Sequence, residues 1–283
     1  MTRYLLHRFF FLLVSFVIAL LVIFILLRLL PGDPANAILP ADATPEQILA
    51  ARIKTGSNLP LGQQYLNWFT SVLRGSFGDS LVSGIPVAPE VVKRFSVTIP
   101  LTLISFVISF IMASIIGFIA AYKNGTWYAH VITLGTQAGI AIPAFWVGII
   151  FVWIFALRLH ILPSGGWPNN GWSNFGKALE SLILPVLTIV FVMTATLSRY
   201  IRASILNILD SGYIRTSRSL GFSQGSSFVL HGLRNAYVPV VSILGIELSS
   251  TLLGAVVIEN VFSLPGLGSM LTKAIAQHDY SSI

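Results

Sequence analysis

The chain of 283 residues is 55% hydrophobic and only 10% charged, with a formal net charge of +7 and no cysteine. A soluble domain carries about a quarter charged residues, so these proportions exclude a water-covered globule and make lipid the solvent for much of the chain. The missing cysteines exclude disulfides, thiol catalysis and cysteine-ligated zinc or iron–sulfur sites, and the positive charge forms no basic stripe interleaved with aromatics of the kind that binds nucleic acid.

The first apolar run, residues 9–27, reads FFFLLVSFVIALLVIFILL. Arg3, His7 and Arg8 precede it, and the ANA at residues 35–37 resembles a cleavage site. A signal-peptide h-region runs about 7–15 residues; this run is longer, which favours a retained membrane anchor. Residues 31–94 are polar and contain LPLGQQYLNWF and RGSFGDSL. Their Gly, Pro and Asp content predicts a small extramembrane cap with short helices. Further spans are predicted at residues 97–122, 131–157, 181–198 and 236–258, each long enough to cross a hydrocarbon core of about 30 Å. The chain thus divides into an anchor helix (1–30), a cap (31–95) and an all-α membrane core (96–283) with a long loop at 199–235.

Orientation follows from Lys and Arg in the short loops. An N-terminus inside the cell places Arg3, Arg8, Lys123, Arg199, Arg202, Arg215, Arg218 and Arg234 inside, against Arg158, Lys177 and Lys273 outside. Eight against three favours this orientation, which puts the cap outside the cell. Pro100, Pro185 and Pro239 lie near span ends, whereas Pro143, in AGIAIPAFW, sits near mid-span and removes a backbone hydrogen bond in the bilayer interior. A broken, pathway-lining helix is one reading of Pro143; a merely kinked packing helix is the favoured one.

Catalytic patterns are missing. There is no GxxxxGK[ST] loop to cradle ATP phosphates, no HExxH and no GxSxG. His130, His160, His231 and His278 stand at span boundaries or in loops, and none is assigned as a ligand. Glu247, midway along the last span, is the most unusual polar residue. A carboxylate there is insertion-costly and faces the protein interior or a wet cavity. A role in a translocation path and a role as helix–helix glue with Ser249, Ser250, Thr251 and Gly254 are weighed equally. Gln137, Glu247, Ser249 and Ser250 are the candidate pathway residues. Glu259, at the outer end of the same span, is read as structural.

The loop between the fourth and fifth spans is the most patterned segment. SGYIRTSRSLG predicts a short amphipathic helix, with Asp210 and Ser211 at its start and Gly221 as a left-handed stop. Tyr213, Ile214 and Leu220 alternate with Arg215 and Arg218. Such a helix suits a groove of a partner protein; resting on anionic headgroups is the alternative.

The same loop resembles the EAA-type motif of ABC importer permeases. In the oligopeptide, dipeptide and nickel permease family the usual form is close to YIRTARAKGL…RHALRNALIPVV; here it stands as YIRTSRSLG at residues 213–221, followed by LHGLRNAYVPVV at 230–241. RYLLHRF at the start, LRLLPGDP at 27–34, LRGSFGDSL at 73–81, VIENVFSLPGLGSML at 257–271 and HDYSS at 278–282 agree in order and spacing, so the resemblance covers essentially the whole chain.

The resemblance implies a type I ABC importer transmembrane subunit, a non-enzymatic permease in the bacterial cytoplasmic membrane. It implies that Tyr213, Ile214, Arg215, Thr216, Ser217, Arg218, Leu220 and Gly221 form the helix that couples to a cytoplasmic ATPase. It also implies a second permease, one or two ATPase subunits that bind ATP and Mg²⁺, and an extracytoplasmic substrate-binding protein. No cofactor or metal is expected in this chain. The expected cargo is di- or oligopeptides, with nickel, metallophore or glutathione import as alternatives. A proton-coupled secondary transporter using Glu247 is a rival, but such proteins show matched broken halves, and none is visible. An intramembrane hydrolase lacks a nucleophile–base or metal set. Two departures stand out: Leu220 replaces the family's usual Lys, and the turn FSQGSSF lacks the usual charges. The family also continues into a sixth helix, so five visible spans suggest a truncated chain.

Overall fold

The computed structural model describes residues 2–29, 35, 39, 42–277 and 279–283. Residues 30–34 of LRLLPGDP, residues 36 and 37 of the cleavage-site-like ANA, and His278 lie outside the described residues.

Helix α1 (Thr2–Leu29) is apolar all round, and Phe24 is its one buried residue. A helix without a polar face belongs in lipid. Phe24 sets its ring against Tyr65 and Trp68, with centroids at 5.3 and 5.9 Å. Helices α2 (Pro45–Thr55) and α3 (Leu61–Leu73) follow in the expected cap. Thr44 opens α2 with a reciprocal capping box to Gln47, which satisfies two amides that the first turn leaves free. Beyond α3 the backbone folds back on itself between Asp79 and Pro86.

Among the described residues four helices are long and apolar enough to cross a membrane: α1, α4 (Val87–Tyr122), α7 (Phe175–Leu209) and the run Gln224–Val261, which contains α9 (Gln224–Ser227) and α10 (Leu233–Val261). A fifth crossing is made only if α5 (Trp127–Ala141) and α6 (Ala144–Phe151), the latter continued to Arg158 by a π-helical stretch, act as one span. That pair is bent by 98°. The favoured sequence reading of a kinked packing helix is therefore corrected to a broken one. Ile142 is extended, at φ −87° and ψ 124°, because the proline ring after it disfavours the helical region. The Pro143 carbonyl then accepts the amides of Trp146 and Val147 and restarts the helix. The short α8 (Gly212–Ser219) and α11 (Leu267–Ala276) complete the element order. Among the described residues there is no strand longer than the single bridge at Asp79 and Pro86.

The chain forms two compact units, one of Met1–Lys93 with Met270–Ile283 and one of Arg94–Ser269. In the second, α7 is the central helix, packing against α5, α6 and α10. Its core has two layers. Leu182, Leu184 and Ile189 of α7 meet Val97, Leu101, Ile258 and Phe262 in one. Met193, Leu197, Ile201 and Ile205 meet Ala113, Phe228, Ala236 and Val240 in the other. Along α4 the buried hydroxyls of Thr102 and Ser105 donate to the carbonyls of Thr98 and Leu101, four residues back. Small side chains of this kind let helices approach closely where lipid supplies no hydrophobic drive.

Candidate functional site

Helix α8 occupies the predicted coupling segment. Ser211 precedes it in extended conformation and Leu220 closes it. Gly221 follows at φ +94°, a left-handed backbone that costs a residue with a Cβ. Two side chains seat the helix on its own loop: Ile214 is fully buried, and the Ser217 hydroxyl donates to that of Ser227 at 2.9 Å. Tyr213 is 41% exposed, and its hydroxyl accepts from Asn235 Nδ2 at 3.5 Å. Arg215, Thr216 and Arg218 are exposed, and Leu220 is 75% exposed. Of the three apolar residues that sequence placed on this helix, Ile214 is buried and Tyr213 is partly engaged through Asn235, whereas Leu220 is mostly exposed. Arg215, Arg218 and Leu220 are thus left on the exposed part of the helix, the leucine and the two guanidinium groups on different sides of it.

The four candidate pathway residues do not share one site. Glu247 and Ser250 line a cleft of about 170 Å³ with Met193 and Thr196 of α7 and Ala144 of α6. Thr251 lies beside them; its hydroxyl donates to the Glu247 carbonyl at 2.7 Å and reaches Met193 Sδ at 3.4 Å. Ser249 is exposed, donates to the Gly245 carbonyl at 3.1 Å and does not line this cleft. Gln137 lines a different cavity, formed by α4, α5 and α7 and holding Arg199 and Arg202. The restart of the broken helix at Ala144 borders the Glu247 cleft, so the break at Pro143 and the mid-span carboxylate meet at one place. Among the described residues no group of three or more His, Cys, Asp or Glu side chains is placed to hold a metal ion.

Two carboxylates, one in each unit, organise their own surroundings through partners that the sequence did not reveal. Glu259 is fully buried. Its Oε1 accepts from the Thr98 hydroxyl at 2.6 Å and its Oε2 from the Ser269 amide at 3.0 Å, while Thr98 Oγ1 accepts the Leu267 amide at 2.9 Å. The chain at Gly266 passes so close that a Cβ there would overlap the Glu259 carboxylate. The motif VIENVFSLPGLGSML thus wraps around its own glutamate, which confirms the structural reading of Glu259 and supplies the partners that reading lacked. In the other unit, Asp279 accepts from the Ser80 hydroxyl at 2.5 Å, the Leu81 amide at 2.9 Å and the Ser282 hydroxyl at 2.7 Å. It joins the RGSFGDSL and HDYSS motifs, nearly 200 residues apart in sequence.

Two family models match the chain. The one described as the binding-protein-dependent transport system inner membrane component matches residues 113–283. The one for the N-terminal part of the membrane component of such systems matches residues 1–102. Glutathione transport system permease protein GsiC of Salmonella choleraesuis (strain SC-B67) is 35% identical over 283 residues, covering all of this chain and 90% of the relative. The proteins of the same name in Escherichia coli (strain K12) and Shigella dysenteriae serotype 1 (strain Sd197) are 34% identical over the same coverage.

Proposed function

The chain belongs to the binding-protein-dependent inner membrane permease family of ABC importers, and from that premise we propose that it couples ATP hydrolysis on partner subunits to import of small peptide-like solutes. The observation that carries this reading is the split character of α8. Ile214 and Ser217 hold the helix to the permease, and Arg215, Arg218 and Leu220 are exposed. An exposed leucine and two exposed arginines on one short helix suit a groove on a cytoplasmic ATPase that offers apolar and acidic contacts. The N-terminus lies in the cytoplasm, and ATP and Mg²⁺ bind the ATPases. A second permease supplies the other half of the pathway, and an extracytoplasmic binding protein delivers the solute.

The coupling is mechanical. A nucleotide-driven change in the ATPase groove moves α8, and its seat against α7, α9 and the π-helical turn at Phe228–Gly232 passes the motion into the core. The states differ in free energy because the groove contacts differ. The cleft holding Glu247, Ser250, Thr251 and Thr196 gives a polar strip along the pathway, with the break at Pro143 on its border.

The relatives carry glutathione in their name, so glutathione, an alternative to di- and oligopeptides in the sequence reading, is the first solute to test. The test is uptake of labelled glutathione into proteoliposomes holding the whole importer with its binding protein, in competition with dipeptides, longer peptides and nickel chelates. Saturable, ATP-dependent glutathione uptake, displaced by peptides and not by nickel chelates, supports the reading. Uptake of nickel chelates alone contradicts it.

A further inference from the structure

We propose that the cavity between α4, α5 and α7 is a binding site for one anionic phospholipid, with its headgroup at Arg199 and Arg202 and an acyl chain in the apolar groove beside them. Two adjoining cavities carry the argument. The first, of about 220 Å³, is lined by Arg199, Arg202, Gln137 and Thr133. The second, of about 560 Å³, is lined almost wholly by apolar side chains, among them Met112, Phe151, Phe155, Leu187 and Phe191. Ile116, Ile132 and Thr136 line both, so the basic cavity and the apolar one adjoin.

The dimensions suit a lipid. From Arg202 to Leu187 the lining descends α7 by fifteen residues, about 22 Å at 1.5 Å per residue. A single leaflet contributes about 15 Å of hydrocarbon. An acyl chain therefore runs along the groove while its headgroup stays level with the α4–α5 turn, where Asn124 lies.

The charge at the mouth is poised for an anion. Arg202 Nη2 donates to Asn124 Oδ1 at 3.0 Å, while its Nε is buried with no hydrogen-bond partner among the described residues. Arg199 lies over the Tyr200 ring, 5.3 Å from its centroid. A buried guanidinium N–H left unmatched by protein is a strong donor awaiting an acceptor, and a phosphodiester supplies one together with the opposite charge. In the orientation proposed above this mouth faces the cytoplasmic leaflet, where anionic headgroups and juxtamembrane arginines attract each other. A free anion would fill the mouth but leave the apolar groove without an occupant; a neutral lipid would fill the groove and leave the arginines unmatched.

The test uses the intact importer complex, purified in detergent and stripped of lipid. Binding of phosphatidylglycerol and of phosphatidylcholine with the same acyl chains is then titrated by native mass spectrometry. The expected result is one phosphatidylglycerol per chain, bound at least about tenfold more tightly than phosphatidylcholine. In Arg199→Gln/Arg202→Gln that preference disappears. In Gly135→Leu, where a Cβ meets no neighbour within 4 Å and the larger side chain fills the groove, binding of both lipids falls while the complex elutes unchanged. Equal binding of the two lipids overturns the proposal, as does a preference that survives the double substitution. Displacement by millimolar inorganic phosphate assigns the mouth to a free anion, and absence of lipid because a helix of the second permease covers the groove assigns it to the assembly; either result contradicts the lipid site.

Discussion

Thr98 and Glu259, 161 residues apart in the chain, share a hydrogen bond of 2.6 Å in which the threonine hydroxyl donates to a fully buried carboxylate. The same hydroxyl accepts the Leu267 amide, and the other carboxylate oxygen accepts the Ser269 amide. Thr98→Val leaves a carboxylate oxygen and a backbone amide without partners at once. The expected loss is about 1–3 kcal/mol, seen as a lower Tm in detergent. Gly266→Ala forces a Cβ into the carboxylate and is expected at the upper end of about 1–3 kcal/mol. Unchanged melting of both variants would remove the network from the account.

Leu220 is 75% exposed and so adds little to the packing of the described residues. Leu220→Ala is therefore expected to leave the melting temperature within experimental scatter. If the side chain is buried in an ATPase groove, the truncation weakens that contact by about 2 kcal/mol, more than tenfold in affinity. Titration of the purified ATPase against permease in nanodiscs measures this. An unaltered affinity would mean that α8 docks through its arginines alone.

Asp279 holds the turn at Ser80 and Leu81 by two hydrogen bonds, and a third, from Ser282, steadies the carboxylate itself. In Asp279→Ala the Leu81 amide loses its acceptor, and hydrogen exchange at residues 80–85 is expected to accelerate by about tenfold or more. Asp279→Asn keeps one acceptor oxygen and should fall between. Equal protection in all three proteins would show that the turn holds itself.

Glu247 borders the cleft where the helix breaks at Pro143. Glu247→Leu removes a polar group from mid-span, where carboxylates are insertion-costly, and is expected to preserve or raise thermal stability. Its uptake rate in proteoliposomes should drop at least about tenfold, with Glu247→Gln retaining more because the amide keeps hydrogen-bonding capacity. A Glu247→Leu protein with lower stability and normal uptake would make this residue helix–helix glue, the other role open from sequence.

The extent to which these features were legible in sequence differs from residue to residue. Apolar length alone marked residues 9–27 and 181–198, and α1 and α7 contain them. The start and stop of α8 were readable because Ser211 and Gly221 carry backbone preferences in their own chemistry. At Pro143 the sequence signal was ambiguous, since a proline that kinks a helix and one that breaks it look alike until Ile142 adopts its extended conformation. Gln137 and Glu247 were grouped because both are polar residues in apolar surroundings. Their separation into two cavities depends on which faces of α7 the neighbouring helices cover, and no local pattern carries that. The partners of Glu259 and Asp279 were invisible for the same reason: each bond joins segments that only tertiary packing brings together.

The central claim is that this chain transmits ATP-driven motion through α8. Its most direct test is recovery of the tagged, detergent-solubilised chain from its native membrane, with ATPase activity measured on the eluate for the natural sequence and for Gly221→Asp. The account predicts co-recovery of a second permease and one or two ATPase subunits, with activity stimulated by loaded binding protein. In Gly221→Asp, where a side chain enters a left-handed position, stimulation and uptake are lost while membrane insertion persists. Recovery of the chain alone without nucleotide hydrolysis, or full coupling in a correctly inserted Gly221→Asp complex, would contradict it.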